Sequence, residues 1–160
     1  MAGPSEDEMK KIGWLRLIAG AGLLVSMGAH AADVEVRMLN RASDGQRGFE
    51  PALVHIDVGD SVHFVAADSG HGVESIPGMA PAGAGAFSGK ISEDLTVKFD
   101  KPGVYGYRCI PHYMLGMVGL IVVGHPTNEA AARSVAQPRD AKARFDQLFA
   151  TLDHEQPTQK

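Results

Sequence analysis

Four side chains combine soft and borderline donor atoms with a spacing that lets them share one centre: His71, Cys109, His112 and Met117. Three of them fall in the stretch YGYRCIPHYMLGMVGLIVVG (Tyr105–Gly124), spaced C-x2-H-x4-M, and Cys109 is the only cysteine of the chain. A thiolate and an imidazole with a weak thioether suit copper, and two His with one Cys under a long axial Met form its blue, single-electron arrangement. The fourth donor has to come from elsewhere, and His71, in the loop DSGHGVES, is placed to give it. Two other readings of Cys109 stand beside this one. It could be an inert buried thiol. It could also be a nucleophile paired with His112, although no Asn or Asp in the local motif orients such a base, and Met117 is left without a role. Met114 is the rival axial donor. Two residues beyond His112, it leaves too little chain to turn back beneath a metal, and it reads as an exposed apolar contact. Met38 and Met79 read as packing residues, His55 and His63 as outward strand residues, and His125 and His154 as loop and tail residues.

These donors need elements to carry them. DVEVRMLN alternates apolar and polar residues, as a half-buried strand does. RASDGQRG carries turn chemistry at Asp44-Gly45. FEPALVHIDVGDSVHFVAAD reads as strand, tight turn at Val58-Gly59-Asp60, and strand. The segment Asp68–Gly89, rich in Gly, Pro and Ala, holds no long regular element. DLTVKFD, GVYGYRC and the β-branched run MVGLIVVG complete the strands. Cys109 then ends one strand and Met117 opens the next, so one turning loop delivers three donors. Short strands divided by Gly and Pro turns predict a β-sandwich or barrel. After Gly124 the pattern changes. Asn128 is placed to cap a short helix reaching Ala136, and Pro138 to open a second. Phe145, Leu148, Phe149 and Leu152 lie at i, i+3, i+4 and i+7, an apolar stripe able to pack on the sandwich.

A chain of 160 residues, 44% hydrophobic, suits a single core. Its amino end reads as a secretory signal over residues 1–31. Lys10, Lys11 and Arg16 precede the apolar run Leu17–Met27, and Ala29-His30-Ala31 closes it with small residues. The acidic MAGPSEDE ahead of the lysines points to Met9 as the true start. The expected division is a sandwich over 32–124, a helical extension over 125–153 and a flexible tail over 154–160. Export implies an oxidising compartment, the periplasm, where an unpaired thiol reads as a nucleophile, a metal ligand or an intermolecular bridge. The net charge is −4. Removing residues 1–31 takes away three basic and three acidic residues and leaves it unchanged. That argues against nucleic acid as a partner. No membrane attachment is expected once the signal is removed, and a monomer is the default.

The exported sandwich with one cysteine, an upstream G-H-x-V and a late C-x2-H-x4-M resembles the cupredoxins. VEVRMLN, GFEPA, GHGVESIPGM and PGVYGYRCIPHY are similar to the pseudoazurin family, and the likeness covers nearly all of residues 32–153. It implies a mainly β fold, an eight-stranded Greek-key sandwich with two short C-terminal helices. It also implies one type 1 copper held by His71, Cys109, His112 and Met117, and an electron carrier, not an enzyme. The partners implied are copper nitrite reductase or c-type cytochromes, in denitrification. Docking is expected near His112, Met114, Leu115 and Arg108, on an apolar patch that includes Pro111, Pro81 and Gly70. Asn40 falls beside the ligand loop. Arg41, Lys90 and Arg108 match positions of a basic ring in the family, with Ser69 and Ser88 neutral where that ring often has lysine. Two residues depart from the pattern: Gly72 stands where the family has an Asn tying the ligand loops, and Arg47 where an apolar residue is usual. A copper delivery or storage protein is the alternative function, although such proteins favour Met- and His-rich clusters. A multicopper enzyme fragment lacks its second histidine cluster.

Overall fold

The computed structural model describes residues 31–155. The expected signal and the end of the tail lie outside the described residues. Among the described residues, eight strands form two four-stranded sheets. The first contains β1 (Asp33–Leu39), β2 (Gly48–Glu50), β4 (Ser61–Val65) and β6 (Leu95–Lys98), in the order β2-β1-β4-β6. The second contains β3 (Leu53–Ile56), β5 (Val73–Ser75), β7 (Gly103–Cys109) and β8 (Val118–Val123), in the order β3-β8-β7-β5. The alternation in β1 buries Val36 and Met38 and exposes Glu35 and Arg37, as a sheet with one wet face requires. β8 is buried along its whole length. Its Ile121 and Val123 face the core between the sheets, and Val118, Leu120 and Val122 pack under a helix.

That helix is α2 (Arg139–Glu155), preceded by α1 (Glu129–Ser134). Ala141, Phe145, Leu148, Phe149 and Leu152 are its buried residues. Helices in proteins owe most of their stability to packing of an apolar face. Burying each large apolar side chain contributes roughly 1.5–3 kcal/mol, so packing on β8 holds α2 in place more than intrinsic propensity does.

The structure departs from the sequence reading in four places. The stretch expected as one strand, FEPALVHID, is two strands in different sheets. Pro51 and Ala52 divide it, because Pro51 has no N–H to give a ladder. α2 is not short: it has 17 residues and continues through His154 and Glu155, where Glu155 Oε2 lies 2.7 Å from His55 Nε2 on β3. The side chain of Asn128 does not cap α1. Its Oδ1 accepts from Val104 N–H at 2.7 Å and its Nδ2 donates to Val104 C=O at 2.9 Å, so the amide pairs with β7 as an added strand residue would. Pro81 packs at the start of β7, with its Cγ 2.7 Å from where a Cβ on Gly103 would stand. β7 runs from there to Cys109, so Pro81 sits at the opposite end of the sandwich and has no part in a patch around His112. Among the described residues no helix is long and apolar enough to cross a membrane.

Candidate metal centre

Strand register brings the predicted donors together. β5 and β7 pair antiparallel with Val73 opposite Cys109, which places His71 just beyond the end of the ladder and beside the thiol. β7 and β8 pair with Arg108 opposite Val118, so the loop between them must close over the same end. Tyr113–Leu115 form one 3₁₀ turn within it, and Gly116 ends that turn at φ 80°, a left-handed conformation that glycine adopts without strain. Cys109 N–H donates to Met117 C=O at 2.9 Å and Met117 N–H to His112 C=O at 3.3 Å. α2 braces the loop from outside. A Cβ on Gly116 would stand 3.2 Å from Asp140 C=O, and Tyr113 OH donates to Gln137 Oε1.

Cys109 Sγ lies 3.6 Å from His71 Nδ1 and 3.5 Å from His112 Nδ1, and the two Nδ1 atoms are 3.1 Å apart. Metal bonds of about 2.0 Å to nitrogen and about 2.3 Å to thiolate sulfur are typical. Donors sharing one ion therefore stand roughly 3–4 Å from one another, and this triangle has that size. His71 and Cys109 are completely buried and His112 is half-exposed. His71 Nε2 lies 3.1 Å from Asn40 Oδ1. The amide oxygen can only accept, so Nε2 carries the proton and Nδ1 turns its lone pair toward the centre. Asn40 N–H is in turn fixed by Asp68 Oδ2 at 2.7 Å. Of the two methionines, Met117 is completely buried in the same core cluster as Cys109, whereas Met114 is 48% exposed on the 3₁₀ turn.

Electrostatics favour neutral imidazoles. Burial, then the neighbouring His112, then Arg47 push the His71 pKa below its ordinary value, with Asp68 opposing them. Burial and Arg47 do the same for His112. Burial pushes the Cys109 thiol up, partly offset by the backbone N–H groups of Gly72 and His112 and by Arg47. The free thiol is thus protonated at neutral pH, and metal uptake must release its proton.

The sequence reading missed three features of this end of the molecule. Arg108, expected as a free docking charge, is bound to Glu74: its Nε donates to Oε1 at 2.8 Å, with a second contact from the guanidinium at 2.6 Å. It also stacks 4.5 Å over the Tyr113 ring. A signal was available, since pairing β5 with β7 sets Glu74 opposite Arg108 once His71 and Cys109 must meet. Arg47, singled out only as a departure, lines a groove with Leu115, Gly116 and Asp140, and its charge reaches all three buried or half-buried donors. The third is the packing around Gly72, where two isoleucines close over the backbone.

Met117→Leu should leave the three nearer donors in place and raise the reduction potential of the copper form, because losing a weak donor disfavours Cu(II) more than Cu(I). Voltammetry of Met117→Leu beside Met114→Leu checks it. A shift on the Met114 variant alone would assign the axial role to the exposed residue.

Residues 36–124 match the family described as copper binding proteins of the plastocyanin/azurin type. The chain is 46% identical over 141 residues to a pseudoazurin of Methylorubrum extorquens, covering 85% of this chain and 95% of that one. It is 41% identical over 140 residues to the pseudoazurin of Paracoccus pantotrophus, covering 86% and 97%. Its fold superposes on the crystal structure of pseudoazurin from Methylobacterium extorquens AM1 with a TM-score of 0.73 at 48% identity, covering 76% and 99%.

Proposed function

Because this chain belongs to the plastocyanin/azurin family of copper-binding proteins and, within it, to the pseudoazurins, we propose that it carries single electrons through one type 1 copper held by His71, Cys109, His112 and Met117. Bound there, copper supplies a one-electron couple between Cu(II) and Cu(I). The observation that carries the reading is the asymmetry of the centre. His71, Cys109 and Met117 are sealed from solvent, and only His112 reaches the surface. Met114 and Leu115, 48% and 53% exposed, stand beside it. One imidazole edge amid apolar side chains gives electrons a route in and out and gives a partner a dry surface to touch. Three donors fixed in a packed interior limit how much the site would rearrange when an electron is gained or lost.

The protein works in the periplasm as a monomeric carrier without substrate turnover. Its partners are a copper nitrite reductase or c-type cytochromes, as the pseudoazurin resemblance implies for denitrifying cells. Such contacts are brief and small, and charge acts mainly on the encounter rate. Arg108 is compensated by Glu74, and Lys90 stands 3.5 Å from Glu93. Arg41 and Arg47 are exposed and take part in no ion pair among the described residues. Steering toward an acidic partner therefore falls to Arg41 and Arg47.

Stopped-flow electron transfer against ionic strength tests this. Arg47→Glu should slow association several-fold at low salt and flatten the salt dependence. Arg108→Glu, facing Glu74, should act through local structure and leave the salt slope nearly unchanged. A rate that ignores salt and the Arg47 reversal would leave docking to the apolar patch alone. Metal exchange separates carrier from delivery protein: a delivery protein surrenders Cu(I) to a competing chelator on the timescale of electron transfer, and a carrier retains it.

A further inference from the structure

Gly72 has an ordinary backbone conformation for an L-residue, since its φ lies outside the left-handed range. Its lack of a side chain is therefore a matter of space. A Cβ there would stand 3.0 Å from Ile91 Cδ1, 3.2 Å from Lys90 C=O and 3.3 Å from Ile110 Cδ1. Both isoleucines are themselves large exposed residues, 45% and 38% accessible, which a surface position does not by itself require. Each sits on a segment tied to the ligand loops. On one side, Gly89 N–H donates to Val73 C=O at 2.8 Å, Ser92 N–H to His71 C=O at 2.7 Å, and Gly70 N–H to Ser92 Oγ at 2.8 Å. Residues 89–92 thus form a strap along residues 70–73, with Ile91 over Gly72. On the other side, Ile110 N–H, one residue past Cys109, donates to Gly72 C=O at 3.0 Å.

We propose that Ile91 and Ile110 are positioning residues of the metal centre, closing over Gly72 as an apolar clamp that holds the His71 loop against Cys109. The clamp stands where a polar side chain at 72 would otherwise bridge the two loops. It also keeps water from the sulfur side of the centre, because it closes at Ile110, one residue past the completely buried Cys109. A dry shell of this kind sets solvent access and local dielectric, and with them the reduction potential. The clamp acts on the apo-protein as well, so its effect on the loops is separable from copper. Only the redox part of the inference rests on the copper assignment.

The test combines substitution with relief. In the apo-protein, Ile91→Ala/Ile110→Ala should speed amide exchange at Ile110 about tenfold by releasing local opening, with the global unfolding midpoint nearly unchanged. Gly72→Ala should have the same effect through crowding. Adding Ile91→Val and Ile110→Val to Gly72→Ala removes both Cδ1 atoms and should bring exchange back to within about twofold of wild type. In the copper form, Ile91→Ala/Ile110→Ala should lower the reduction potential, since admitted water favours the more highly charged Cu(II) state. Unchanged exchange at Ile110 in the double alanine variant would overturn the clamp, whatever the metal form shows. A triple variant as perturbed as Gly72→Ala alone would also overturn it, assigning the crowding to Lys90 C=O. If Gly72→Ala does not fold, the double alanine variant still decides.

Discussion

Cys109→Ser should abolish the intense visible absorption of the Cu(II) form completely. That absorption is sulfur-to-copper charge transfer, and no second cysteine exists to replace the donor. A serine hydroxyl is a hard donor that does not ionise near neutral pH, so Cu(I) binding should also weaken by more than about 100-fold, given that losing an outer-shell contact alone costs about 10–100-fold. The fold should survive. Cys109 is completely buried, and its thiol is protonated in the apo-protein. Gly72 and His112 N–H groups already face this position and can satisfy the new oxygen. The stability cost should therefore sit at the low end of the about 1–3 kcal/mol for burying a hydroxyl. Absorption spectroscopy, a Cu(I) competition titration and denaturant unfolding read the three effects together. A Cys109→Ser protein that remained blue would end the type 1 assignment.

Gly119→Ala should be the most destabilising single methyl added to the sandwich, by about 3 kcal/mol, the upper end for overpacking a core. Gly119 on β8 lies opposite Tyr107 on β7, and the Tyr107 ring folds across the space a side chain would fill. A Cβ there would collide with Cζ and the hydroxyl of Tyr107 and stand 2.8 Å from Ala52 C=O. Neither obstacle can move easily. Tyr107 is wedged between Phe49 and Phe64, with ring centroids 4.8 and 5.1 Å away, and its buried hydroxyl has no hydrogen-bond partner among the described residues. Tyr107→Phe should consequently be neutral or stabilising, since it removes an unsatisfied group. It should also recover part of the Gly119→Ala loss, which a double-mutant cycle in urea would measure. Additive losses would place the strain at Ala52 C=O. Because β8 begins one residue after Met117, Gly119→Ala should also disturb the metal loop, visible as a changed copper spectrum in whatever fraction folds.

Much of the centre was legible before any coordinates. Thiolate, imidazole and thioether within nine residues is a chemical statement in its own right, and the absence of any other cysteine in the chain narrows it further. The stripe Phe145–Leu152 also carried its own geometry, because a 3.6-residue period specifies which face is buried. The break in FEPALVHID was less legible. Apolar patterning alone does not say to which sheet a residue belongs, and only pairing with β1 and β8 separates Gly48–Glu50 from Leu53–Ile56. Pro81 failed for a related reason, since nearness in sequence to His71 carries no information about which end of the sandwich a loop reaches.

Sequence by itself determined the candidate donors, the strand-rich fold class and the helical ending, because each depends on residue chemistry or on a local period. The tertiary structure decided what those residues are worth. Arg108 is a positive charge in any listing of the chain, but across the β5–β7 ladder it meets Glu74 and ceases to be a free one. Arg47 is one loop arginine among several until the fold sets it in the groove beside Leu115 and Gly116. Gly72 is a missing side chain until Ile91 and Ile110 arrive over it from two other segments. A charge acts according to the distance of its partners, and a glycine according to what fills its space. Both quantities belong to pairs of residues far apart in the chain, and folding alone sets them.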